Sequence, residues 1–138
     1  MTLFEVLGII IIHYIADFIF QDEKWALGKS KNMNDLISHT LMYTLIWFLS
    51  FISFAGVNVL ILGLHGDYYG YTLKILLFFP ITFILHTITD YFTSRVVSKK
   101  FANKEYGSPI PNFGAFTIIG FDQVLHYVQL FTTYFLLK

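Results

Sequence analysis

Three pairs of residues could do chemistry by type and spacing. They are His13 with Asp17, His86 with Asp90, and Asp122 with His126, each four positions apart. On a helix, positions i and i+4 share one face, about 6 Å apart along the axis. Each of three helices would then present an imidazole and a carboxylate on one stripe. Gln21 extends the first stripe by a turn, Gln123 accompanies the third, and His39 opens a further apolar stretch. Three carboxylates brought together repel, and they cannot all ionise without a cation. No Lys or Arg is expected in the same layers, so the counter-charge is read as a divalent metal. Imidazole with carboxylate suits Zn, Fe, Mn or Ni. The Asp-with-His set is closest to hydrolytic zinc sites, with Mn or Fe as the alternatives. Seven candidate ligands (His13, Asp17, His39, His86, Asp90, Asp122 and His126) exceed one tetrahedral site. They suit two ions, roughly 3.5–4 Å apart if a carboxylate bridges them.

The elements that must position these residues are apolar stretches of membrane-crossing length, roughly 20 residues each. They run from about Thr2 to Phe20, Leu36 to Val59, Thr72 to Thr93, and Phe113 to Leu137. The connections are polar or glycine-rich, and the last contains Pro109 and Pro111, which favour an extended backbone. Lys24, Lys29 and Lys31 fall in the first connection, and Arg95, Lys99, Lys100 and Lys104 in the third. The second has none, Lys74 lies just inside the third span, and Lys138 ends the chain. The positive-inside rule puts both basic loops in the cytoplasm and both termini outside. Spans one and three then run toward the cytoplasm and span four away from it. In span four the order is reversed, Asp122 before His126, and the reversal restores the layering. Asp17, Asp90 and Asp122 fall in one layer, and His13, His86 and His126 in a deeper one. His39 joins the shallow layer. The Asp residues lie roughly 5–13 Å inside the cytoplasmic end, which describes a cleft open to that side.

Composition agrees with a membrane chain. Of 138 residues, 56% are apolar and 13% charged, about half the charge of a soluble domain. The apolar content excludes disorder. Nine Lys and Arg against nine Asp and Glu leave no basic excess for nucleic acid. No cysteine is present, so neither a disulfide framework nor a thiolate metal site is available. There is no basic n-region before the first apolar run, which speaks against a cleavable signal peptide. The expectation is an all-α integral membrane four-helix bundle of two helical hairpins, one domain over residues 1–138.

A single intramembrane His is commonly a helix–helix hydrogen bonder rather than a ligand. It is the set at matched spacing that points to a metal or proton site. His65 and Asp67 read as solvated surface in the outer turn. Tyr68, Tyr69 and Tyr71 read as an interfacial aromatic belt. Lys24, Arg95 and Lys99 rim the cleft and are weak candidates for holding an anionic headgroup.

HYIADFIFQ and HTITDYFTS share H-x-I-x-D followed by an aromatic, which suggests two parallel hairpins. Together with FDQVLHY and the His that opens the second span, these pieces resemble the bacterial and phage membrane family catalogued as domain of unknown function 3307. The likeness covers nearly the whole chain. It implies a small protein of the bacterial inner membrane, in some cases phage-encoded, with no settled activity. The pattern is also similar, more loosely, to membrane-bound metal-dependent hydrolases, without residue-by-residue correspondence.

The functional expectation is a metal-dependent hydrolase acting on a phosphoester or ester of a membrane lipid or amphiphile. His39 would be a seventh ligand or the general base, and Gln21 and Gln123 would orient water or substrate. The rival is a proton or metal-ion relay. With four spans, a carrier would need to be a homo-oligomer. The third reading is a non-catalytic anchor or partner-binding protein.

Overall fold

A computed structural model describes residues 1–60, 68–103 and 114–137. Every regular element among them is helical: α1 Leu3–Tyr14, a π-helical turn Ile15–Ile19, α2 Glu23–Gly28, α3 Met33–Leu60, α4 Tyr68–Ala102 and α5 Ala115–Leu137. His65, Asp67, Lys104, Pro109, Pro111 and Lys138 lie outside the described residues, as do the side chains of Tyr68, Tyr69 and Tyr71.

The starts of the helices follow from local sequence. Thr2 and Glu5 form a capping box on α1: the Glu5 N–H donates to Thr2 Oγ1 at 3.3 Å and the Thr2 N–H to Glu5 Oε2 at 2.6 Å. Asp22 caps α2 through the Lys24 N–H, at 2.8 Å. At the start of α3, Asn32 Oδ1 accepts from the Asn34 N–H at 2.9 Å.

Two of the expected spans differ in form from simple helices ending in loops. The first is not one uniform α-helix: from Ile15 the backbone widens, and the Phe20 N–H donates to the Ile15 carbonyl at 3.0 Å, an i→i+5 bond. Such a turn holds one more residue than an α-turn and changes where the side chains after it point. Asp17 lies within it. The third expected span, Thr72–Thr93, is the middle of a longer helix that runs on to Ala102 and carries Arg95, Lys99 and Lys100 on its last turns. Pro80 sits inside α4 and forgoes the bond to the Leu76 carbonyl.

α4 packs against both α3 and α5, and α1 packs against the same two helices, so the four long elements form a ring. α2 rests on α3. The packing is inside-out relative to a water-soluble domain. Among the described residues, ten buried ones are polar or charged against seven that are apolar, while the exterior carries large exposed apolar side chains such as Phe4, Phe54, Phe92 and Phe135. Two helical stretches among the described residues, Met33–Gly56 and Leu76–Ala102, are long and apolar enough to cross a membrane. Several helical hydroxyls are satisfied inside their own helices. Thr44, Ser50 and Thr87 donate to the carbonyls of Thr40, Ile46 and Phe83.

Candidate metal centre

One stripe of each long helix carries the site. On α3 the buried positions are Leu36, His39, Thr40, Tyr43 and Trp47, and on α4 Phe78, Thr82, His86, Thr89 and Asp90. These are helical spacings of three and four, and they direct the stripes inward. α5 adds His126, Leu130 and Thr133, and the first segment adds Ile9, His13, Ala16 and Asp17.

Four donor atoms from three segments converge: Asp17 Oδ1, His39 Nε2, His86 Nε2 and Asp90 Oδ2. His39 Nε2 lies 2.9 Å from Asp90 Oδ2, 3.2 Å from Asp17 Oδ1 and 3.2 Å from His86 Nε2. His86 Nε2 lies 3.6 Å from each carboxylate oxygen. One proton on His39 Nε2 cannot serve three neighbours. Zn–N and Zn–O bonds of about 2.0–2.2 Å put the corners of a tetrahedron about 3.3–3.5 Å apart. Five of the six edges lie near that value, and Asp17, His39 and His86 form a three-donor face for a cation with Asp90 beside it.

Beside it is a second set. Asp90 turns its other oxygen, Oδ1, to His126 Nε2 at 3.4 Å, and Asp122 Oδ1 is also 3.4 Å from the same nitrogen. His126 Nε2 is buried and makes no hydrogen bond. Asp90 thus faces both sets with one oxygen each, the placement of a bridging carboxylate. Thr93 donates to Asp122 Oδ1 at 2.6 Å and fixes that carboxylate.

His13 stands one layer back. Its Nε2 is 2.7 Å from Gln123 Oε1 and its Nδ1 is 2.9 Å from the Tyr43 hydroxyl, so both nitrogens are engaged. It approaches Asp17 Oδ2 only to 3.8 Å. Gln123 uses its amide N–H groups on Asp17 Oδ2 at 3.1 Å and Asp122 Oδ2 at 3.2 Å. Reversing the amide would turn its oxygen toward two carboxylates, so the network fixes its orientation. The chain Tyr43–His13–Gln123 thereby ties two carboxylates from different helices together. The rings of Tyr43, His86 and His126 form a stack, with centroids 3.8 Å and 4.1 Å apart.

The absence of a cationic side chain from these layers, expected from sequence, is corrected. Lys29, from the first connection, reaches into the cluster: Nζ is 2.8 Å from Asp90 Oδ2 and 3.5 Å from His39 Nε2. Burial works against its charge, but Asp90 and Asp17 outweigh that and hold the ammonium above its ordinary pKa. Gly28 permits this approach, because a Cβ there would run into the Asp35 side chain. The end of α2 can therefore lie close on the start of α3 and deliver the next residue inward. Three carboxylates less one ammonium still leave two negative charges in the cluster.

Of the other candidates, Gln21 follows the π turn, and its Oε1 is buried with no protein partner. Lys24 and Lys99 are exposed. Arg95 lies over the Tyr91 ring, 3.6 Å from its centroid, and donates to the Tyr91 carbonyl. None of these three cations is brought to the cluster in the way Lys29 is. Tyr43, Thr93 and Lys29 are site residues that sequence reasoning missed. Two of them carried a signal: Tyr43 follows His39 by four positions and Thr93 follows Asp90 by three, each on the stripe already in view.

Asp17, His39 and His86 form one buried group suited to a metal ion, and His86, Asp90 and His126 another. A helical protein with an apolar exterior and a buried His/Asp centre is thus defined by geometry. Residues 6–138 match the family described as protein of unknown function (DUF3307), and the chain belongs to that family. Neither a curated protein nor a solved structure matches it.

Proposed function

We propose that this chain is an integral membrane metal-dependent hydrolase with a His/Asp di-metal centre near the cytoplasmic face. It acts on a phosphoester or ester of a lipid or amphiphilic substrate. The observation that carries the reading is the meeting of Asp17 and Asp90 with His39 and His86, each carboxylate within 3.6 Å of both imidazole nitrogens. The apolar exterior around a polar centre supports a four-span bundle in the bilayer, where ionisable groups face inward. The asymmetry of Lys and Arg orients that centre toward the cytoplasm, and the bacterial inner membrane is the compartment we infer.

A first ion would be held by Asp17, His39 and His86 with Asp90 beside them, and a second by Asp90, Asp122 and His126. Zinc suits the first set best, with Mn or Fe as alternatives. A metal pair of this kind lowers the pKa of bound water and holds a phosphoryl or acyl oxygen. His39 is a ligand in this scheme rather than the base, since its Nε2 is a corner of the first set. His13 and Gln123 position carboxylates. Lys29, at the edge of the cluster, is better placed than Lys24, Arg95 or Lys99 to meet an anionic headgroup.

Elemental analysis of the gently purified protein tests the reading. Stoichiometric transition metal is expected, with loss of that metal in the Asp17→Ala, Asp90→Ala double variant. A metal-free wild type that also refuses added zinc would overturn it.

One observation favours a second reading, a proton or cation relay. Thr82, Gln129 and Thr133 continue polar groups past the histidine layer, with Gln129 also hydrogen-bonded to Thr89. Proton or metal flux into liposomes carrying the wild type, but not the double variant, would select it.

A further inference from the structure

Directly behind the cluster is a small cavity, lined among others by Tyr43, Thr82, His86, His126, Gln129 and Thr133. Its room is that of about one water molecule. Three buried polar atoms of its lining residues have no protein partner: His86 Nδ1, His126 Nδ1 and Thr82 Oγ1. All three residues are at least nine-tenths buried, with exposures of 2%, 1% and 5%. A native interior rarely leaves such groups unpaired, and a polar chamber of this size is where a structural water resides.

We propose that one water bound between His86, His126 and Thr82 fixes both imidazoles in the Nδ1–H tautomer and so turns their Nε2 lone pairs onto the carboxylate side. The water oxygen accepts from the two Nδ1–H groups, and one of its own protons goes to Thr82 Oγ1. That gives it three hydrogen bonds, the usual number for a buried water. The consequence falls on the other face of each ring. An unprotonated Nε2 beside Asp90 and Asp122 is an acceptor facing acceptors, which only a cation reconciles. The same ring with Nε2–H would make an ordinary carboxylate hydrogen bond and need no ion. The water therefore decides between a metal centre and a hydrogen-bonded knot, and Thr82 is a positioning residue acting through it. Ligating histidines regularly depend on such partners at their second nitrogen.

This inference rests on the metal reading for its function but not for its test. The full chain, 15N-labelled at histidine and reconstituted in lipid nanodiscs without metal, is compared with Thr82→Val and Thr82→Ser. Wild type and Thr82→Ser are expected to show His86 and His126 protonated at Nδ1, and Thr82→Val to lose that tautomer on at least one ring. Zinc titration of the same samples should show about tenfold weaker binding by Thr82→Val, restored in Thr82→Ser. A wild-type His86 or His126 protonated at Nε2 and not at Nδ1, or a Thr82→Val variant identical to wild type in both readouts, would overturn the proposal. Wild type that binds no zinc but keeps the Nδ1–H tautomers would sink the hydrolase reading alone.

Discussion

The two ends of the helix ring are built on opposite rules. Toward one end the interior is aromatic: Trp47, Phe51, Phe78 and Phe79 pack with ring centroids 5.2–6.0 Å apart for the pairs Phe51–Phe78, Trp47–Phe78, Phe51–Phe79 and Phe78–Phe79. None of these four rings carries a charge that has to be placed, and their one polar group is the Trp47 Nε1–H. Toward the other end, four histidines, three aspartates and a lysine share one small volume, and each side chain's position is set by another's. The aromatic layer is tolerant, because size and shape suffice for it. The polar layer is not, because a buried charge without its partner is costly. Metal affinity should therefore depend on the second region and hardly at all on the first, although both hold the helices together.

The largest effect is expected from Asp90, the one carboxylate shared by both donor sets. Asp90→Ala should abolish stoichiometric metal, measured by elemental analysis, whereas Asp122→Ala should leave the first set and retain one ion. Equal loss in the two variants would show that the sets are not separable. Gln123→Leu comes next. It removes the amide that spans Asp17 and Asp122 and should weaken zinc binding about 10- to 100-fold by competition titration, with the helical circular dichroism unchanged. Lys29→Met should act in the opposite direction. Its ammonium competes for Asp90 Oδ2, and removing a unit charge so close should tighten divalent binding by about tenfold once solvent screening is allowed for. Weaker binding in Lys29→Met would mean that the ammonium supports the ion rather than competes with it. The smallest effect on metal should come from Phe78→Ala. It is expected to cost about 3 kcal/mol of stability in thermal unfolding, yet leave zinc affinity at the wild-type value.

The same contrast governs what could be read from the chain alone. The three His/Asp pairs were legible because a four-residue spacing on an apolar helix has one geometric meaning. The reversal at Asp122 and His126 let their depth be compared across helices of opposite direction. Lys29 was not legible, because its reach depends on how α2 folds back on α3, and the only local sign is Gly28 beside it. The π turn at Ile15–Ile19 was hidden because a five-residue segment carries no periodicity that separates i→i+5 from i→i+4 bonding. For the same reason His13, although paired in sequence with Asp17, engages Tyr43 and Gln123. Those contacts join α1 to α3 and α5, and no spacing within one helix contains them.

X-ray absorption at the metal edge tests the central claim most directly. For zinc-loaded protein in lipid nanodiscs the account predicts a first shell of nitrogen and oxygen only, at about 2.0–2.1 Å, with outer-shell scattering from at least two imidazoles. A six-oxygen shell without imidazole scattering, or zinc that washes out at wild-type Asp17 and Asp90, would contradict it.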